Sequence, residues 1–144
     1  MANVSAMRAL PLIITIMVLA LMAAPALATD LTIPVNKDIT RGDMVVHITK
    51  VEVTDKYKGN TYSADPDNTI WPKLWFIYEN KGSVPLNGNL YLAFVDDKNN
   101  VYWDNRDNKP IFDATMNQIA PGKTSDERFV EIAAPKGTKI TKII

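Results

Sequence analysis

Residues 73–103 read KLWFIYENKGSVPLNGNLYLAFVDDKNNVYW, and this stretch decides the fold. Leu74, Phe76 and Tyr78 alternate with Trp75, Ile77 and Glu79. Leu90, Leu92 and Phe94 alternate with Tyr91, Ala93 and Val95, and Val101 and Trp103 flank Tyr102. A period of two, carried by aromatic and β-branched residues, is the pattern of strands that pack on a pleated surface. Two polar groups punctuate it, Asn80-Lys81-Gly82-Ser83 and Asp96-Asp97-Lys98-Asn99-Asn100. The stretch therefore predicts three successive strands joined by two turns.

The same pattern extends in both directions. Residues 44–54 (MVVHITKVEVT) predict a long strand. Met44, Val46 and Ile48 share one phase, whereas Val51 and Val53 take the other, so a bulge or bend is expected near Thr49 and Lys50. A strand bent there could serve both sheets of a sandwich. Before it, residues 29–36 (TDLTIPVN) suit a first edge strand, because Pro34 has no N–H for a central ladder. Arg41-Gly42-Asp43 supplies the turn between them. Downstream, Ala120-Pro121-Gly122-Lys123 and Pro135-Lys136-Gly137-Thr138 read as turns. They bracket strands over residues 124–132 and 139–144. No segment has a convincing helical period. The expectation is an all-β chain, a β-sandwich of about seven antiparallel strands.

Residues 1–28 have the form of a secretory signal peptide. Arg8 is the one charge before or within the apolar run of residues 10–24, and Ala26-Leu27-Ala28 offers a small-x-small cleavage site. The run is shorter than the ~20 residues that span a bilayer. Cleavage after Ala28 is expected, leaving a secreted or extracytoplasmic product with no stable membrane span. Residues 29–37 are then an N-terminal extended segment, and residues 38–144 the folded domain. A domain of that size buries roughly two-thirds of its unfolded surface, enough for one core.

Composition removes several function classes. The chain has 16 basic and 16 acidic residues, so it lacks the basic excess that nucleic-acid binding requires. It has no cysteine, which excludes disulfides, thiolate zinc sites and cysteine nucleophiles. Its single histidine, His47, excludes multi-histidine metal centres. There is no Gly-rich phosphate loop and no nucleophile elbow. No enzyme activity and no resident cofactor are expected.

Two groups of residues remain as candidate sites. Residues 55–72 (DKYKGNTYSADPDNTIWP) have no clear period, and structureless loops this long are often functional. Tyr57, Tyr62, Asp65, Asp67 and Trp71 are its candidate ligand- or partner-binding residues; the plainer reading is that its aromatics lap over one open end of the sandwich. Residues 104–113 carry Asp104, Asp107, Asn108 and Asp113, oxygen donors of the kind calcium takes. Turn chemistry alone also favours Asp and Asn, and the glycine and distal glutamate of a calcium loop are missing. The terminal strands add a third expectation. An unpaired edge can accept a partner's strand or exchange strands between copies, although Lys139 and Lys142 oppose this at the C-terminal edge.

Several of these pieces also resemble a known family. They are VEVTD (residues 51–55), FIYENKGSVPL (76–86), LAFVDDKNNVY (92–102) and IAPGKTSDERFVEIAAPKGT (119–138). Together they resemble the telokin-like, immunoglobulin-like domain of secreted bacterial and archaeal proteins. More distantly they resemble the mycobacterial immunoprotective extracellular protein. The resemblance covers roughly residues 38–144. It implies an immunoglobulin-like β-sandwich and no catalytic residues, since that family has no established activity. Many members carry a lipid-modified cysteine, which this chain lacks.

Overall fold

The structure is a computed structural model. It describes residues 16–17, 30–56, 65–102, 111–115 and 117–144. These residues are all-β, with eleven strands and a single 3-10 turn at Pro66–Asn68. Among them no helix is long and apolar enough to cross a membrane.

The larger sheet is built on β4 (Thr69–Asn80), the strand at the heart of the opening stretch. On one side β4 pairs antiparallel with β3 (Met44–Thr54), which in turn pairs with β2 (Asp30–Arg41) at the sheet's edge. On the other side β4 pairs with β9 (Arg128–Glu131) and β10 (Ala134–Pro135). The smaller sheet contains β6 (Phe94–Asp96), β7 (Val101–Tyr102) and β11 (Ile140–Ile143). Its outermost strand is β1 (Ile16–Met17), two residues of the apolar run lying antiparallel to Ile143 and Lys142. A two-stranded sheet of β5 (Asn89–Leu92) and β8 (Ile111–Ala114) completes the fold.

The period-two pattern sets the faces. Ile70, Leu74, Phe76 and Tyr78 of β4 lie in one core with Val46, Ile48 and Val51 of β3 and Val130 of β9. Leu92, Phe94 and Ile143 meet them from the other layer. Burial of these side chains is the main source of stability in a chain without covalent cross-links. The phase slip in β3 is a real irregularity. Its register against β4 shifts between Ile48 and Lys50, so Thr49 is the extra residue. Because β2 and β4 both continue alongside, β3 stays in one sheet along its whole length and does not cross to the other.

A second bulge lies in the edge strand. The β2–β3 register shifts between Pro34 and Lys37, and Asn36 has a positive φ of 48°. Asparagine is among the side chains that tolerate this region. The edge strand runs without a break in assignment from Asp30 to Arg41 and so spans the expected boundary at residue 37.

Close packing explains one glycine. Gly88 is buried, and a Cβ built on it would clash with Cδ2 of the Tyr78 ring, a ring itself fully buried. The Gly88→Ala variant is expected to lose about 1–3 kcal/mol, since an overpacked core must shift backbone or leave its rotamers. Urea denaturation measures this; an unchanged midpoint would show that the ring can move aside.

Candidate functional site

The side chains of β2, β3, β4 and β9 that turn away from the core form one outer face. Cross-strand rows place them. Thr32, Glu52, Lys73 and Glu131 share a row, as do Pro34, Lys50, Trp75 and Phe129. Past the bulges, Asp38, His47 and Ile77 form another.

Across the first two of these rows the face carries a ladder of charges and rings. Lys50 Nζ sits 4.5 Å from the centre of the Trp75 ring, and Trp75 meets Phe129 at 4.8 Å. Lys73 Nζ stands 4.8 Å from the centre of Phe129. Trp75 Nε1 donates to Glu52 Oε2 at 2.6 Å, and Lys50 reaches Glu52 Oε1 at 3.4 Å. Lys73 lies 3.2 Å from Glu131 Oε2, with both side chains almost wholly buried, at 6% and 3% exposure. The two rings are thus packed between protein cations and against each other. They act as a structural cluster, because the contacts a stacking ligand would make are already made. Beside them, Asp30, Thr32, Glu52, Thr54 and Lys73 line a small open recess of about 150 Å³.

At the other end of the face, His47 is held on both sides. Nδ1 lies 2.7 Å from Asp38 Oδ1 and Nε2 lies 2.8 Å from Glu79 Oε2. Lys81 in turn approaches Glu79 at 3.5 Å. The hydrogen bond to Asp38, aided by Glu79 and by both negative charges, raises the imidazole pKa above its ordinary 6.5 against a smaller opposing effect of burial. The two carboxylates approach opposite ring nitrogens, a geometry that suits a doubly protonated ring and not the chelation of one metal ion.

The expected candidate residues fall in different places. Tyr57, Tyr62, Asp104, Asp107 and Asn108 lie outside the described residues. Asp65 and Asp67 are exposed at the 3-10 turn, where Asn68 Nδ2 donates to Asp65 Oδ2 at 2.9 Å. Trp71, read from sequence as a loop residue, belongs to β4 and is only 1% exposed. The strand begins at Thr69, and within it the Pro72 carbonyl accepts from Ile132 N at 3.1 Å.

Asp113 is taken into a cluster between the layers. Arg128 grips both its oxygens, Nε to Oδ2 and Nη2 to Oδ1, each at 2.9 Å. The buried Tyr78 hydroxyl donates to Oδ2 at 3.1 Å. Burial, then the Asp113 charge, pushes the Tyr78 phenol far up, so it stays a donor at any ordinary pH. This hydrogen-bonded clamp joins β4, β8 and β9.

The hairpin acids also serve local structure. Asp96 Oδ1 accepts from Lys98 N at 2.9 Å and Asn100 N at 2.8 Å. Oδ2 accepts from Asn100 Nδ2 at 2.8 Å and the Tyr102 hydroxyl at 3.0 Å. Burial alone would raise this carboxyl, but the four donors outweigh it and hold the pKa below its ordinary value. Among the described residues no three acidic or histidine side chains form a metal-binding group.

No protein-family model matches the chain, and no curated protein matches it. The chain is similar to a solved structure, a conserved hypothetical protein from Bacillus anthracis. The two share 14% identity over 79% of this chain and 98% of that one, with a TM-score of 0.49.

Proposed function

We propose that this protein is an extracytoplasmic, non-enzymatic interaction module that receives an extended segment of a protein partner along the edge of β2. The observation that carries the reading is the edge itself. β2 borders the larger sheet over twelve residues and, among the described residues, pairs with β3 alone. A strand edge presents backbone donors and acceptors at regular spacing, which an extended peptide can match. The leader-like residues 1–28 support an extracytoplasmic location. The balanced charge and the packed rings of the outer face favour backbone pairing over capture of an ionic or stacking ligand.

The family expectation belongs to the same reading. We take the fold as immunoglobulin-like and telokin-like, on the motifs quoted above and the antiparallel layers around one core. Calcium binding is a separate reading that rests on Asp104, Asp107 and Asn108, since both oxygens of Asp113 are engaged by Arg128.

Site-specific photo-crosslinking in the native host tests the proposal. Photoreactive residues at Thr32 and Thr40, both exposed on β2, should give a discrete adduct. The same probe at Ala120, in a turn away from that edge, should not. An adduct of twice the chain's mass identifies exchange between copies. Equal labelling from all three positions, or none, overturns the proposal. A melting curve in millimolar calcium and in chelator decides the calcium reading, because a bound ion must raise stability by linkage.

A further inference from the structure

We infer that His47 is a proton-dependent fastener for the second half of the edge strand. The bulge after Pro34 divides β2 into two ladders against β3, residues 30–34 and 37–41. The second ladder has an additional tie: Asp38 of β2 is joined through the His47 ring of β3 to Glu79 of β4. Three strands are therefore linked by one side chain.

The chemistry of the ring makes the tie conditional. An ionised carboxylate can only accept hydrogen bonds. Both ring nitrogens face carboxylate oxygens below 3 Å, so both must carry hydrogen, and the ring is an imidazolium. Neutral imidazole has one N–H. Loss of the proton points a bare nitrogen lone pair at a carboxylate oxygen, and one contact must open. Asp38 is the partner that leaves: its side chain is 61% exposed against 26% for Glu79, so water replaces its bond more readily. Glu79 retains the remaining N–H and its contact with Lys81.

The charged neighbours do not replace the tie. From β2 the facing group is Asp38, and from β4 it is Glu79, with Lys81 just beyond. Glu127, ahead of β9, accepts from the Thr49 hydroxyl at 2.8 Å, two residues along β3 from His47. The raised histidine pKa fixes the direction. The contribution to stability is complete below about 6.5, the unfolded value, and is lost as pH rises through the folded value. Acid closes this fastener and alkali opens it.

Amide hydrogen exchange on the purified protein provides the test, with residues 30–33 as an internal reference for residues 37–41. After correction for intrinsic rates, the protection of the second ladder relative to the first should fall about two- to fivefold between about pH 6 and pH 8.5, the scale of an exposed ion pair. The fall should track the His47 titration seen by NMR, with a midpoint above 6.5. In the His47→Gln and Asp38→Asn variants the ratio should stay flat. Asp38 is exposed, so its variant keeps the test alive if His47→Gln folds poorly. An unchanged ratio in the natural sequence, the same fall in Asp38→Asn, or a histidine titrating at or below 6.5 overturns the inference. None of these readouts requires a partner on the edge, so a failed crosslinking experiment and a failed fastener are distinguishable.

Discussion

Replacing Asn80 by alanine is expected to remove about 3–5 kcal/mol of stability, a large share of what a domain of this size possesses. Asn80 ends β4 and is completely buried, at 0% exposure. Its amide nitrogen donates to the carbonyls of Val84 and Ile119, each at 2.8 Å, and its amide oxygen accepts from Gly82 N at 2.8 Å. Its backbone is used as well: N donates to Lys123 O at 2.9 Å, and O accepts from Gly122 N at 2.8 Å. One residue thus joins the Asn80-Lys81-Gly82 turn to the Ala120-Pro121-Gly122-Lys123 turn. Alanine would take the side-chain partner from the Val84 carbonyl and the Gly82 N–H and leave the Ile119 carbonyl with Leu86 N alone, and a polar group left unpaired costs desolvation energy.

The Asn80→Asp variant separates hydrogen bonding from volume. It keeps an acceptor for Gly82 N–H but turns a carboxylate oxygen toward two carbonyl oxygens. At pH 7 it should be at least as unstable as the alanine variant. Its deficit should shrink on acidification, because a carboxyl crowded by acceptors has a raised folded pKa and is harmful only when ionised. Urea denaturation at pH 7 and pH 5 measures both effects. A loss below about 1 kcal/mol for Asn80→Ala, the net value of one ordinary hydrogen bond, would show that water satisfies the turn without the side chain.

The second large effect concerns the Lys73–Glu131 pair. Its members face each other across β4 and β9, almost wholly buried. Removing one partner takes the facing opposite charge from the other in low dielectric. Glu131→Leu alone and Lys73→Met alone are each expected to cost about 3–5 kcal/mol. The double variant should recover most of this and reach near-natural stability, since well-packed apolar residues often replace a buried ion pair without loss. Guanidinium denaturation of all four proteins gives the coupling energy. Additive losses would mean that the two charges are stabilised independently, by solvent or by other groups.

The parts of this fold that show in the sequence are those governed by local rules. The alternation of Leu74, Phe76 and Tyr78 against Trp75, Ile77 and Glu79 marks β4 because one side of it meets the core. The slip between Ile48 and Val51 marks the bulge at Thr49 because a period-two pattern cannot absorb an extra residue silently. Gly42, Gly122 and Gly137 mark turns, and all three have positive φ. Pro34 placed the first strand at an edge, and β2 is the edge.

What stayed hidden depends on contacts between distant residues. The beginning of β4, from Thr69 to Leu74, is buried at every position, so no alternation distinguishes it from a loop rich in aromatics. That is why Trp71 looked like a loop residue. Lys73 and Glu131 gave no sign of meeting, because their sequence neighbours say nothing of a pairing 58 residues apart. Asn80 looked like ordinary turn punctuation, and only the approach of the 120–123 turn makes it a junction. His47 looked isolated for the same reason: its partners are 9 residues before it and 32 after it. Arg128 gave no signal that it would claim Asp113.

The kink at Asn36 has a consequence for assembly. A guest segment lying straight along residues 30–33 would drift out of step before Lys37 and could continue only with a matching irregularity of its own. The border therefore suits a short visitor at either end better than one long straight strand.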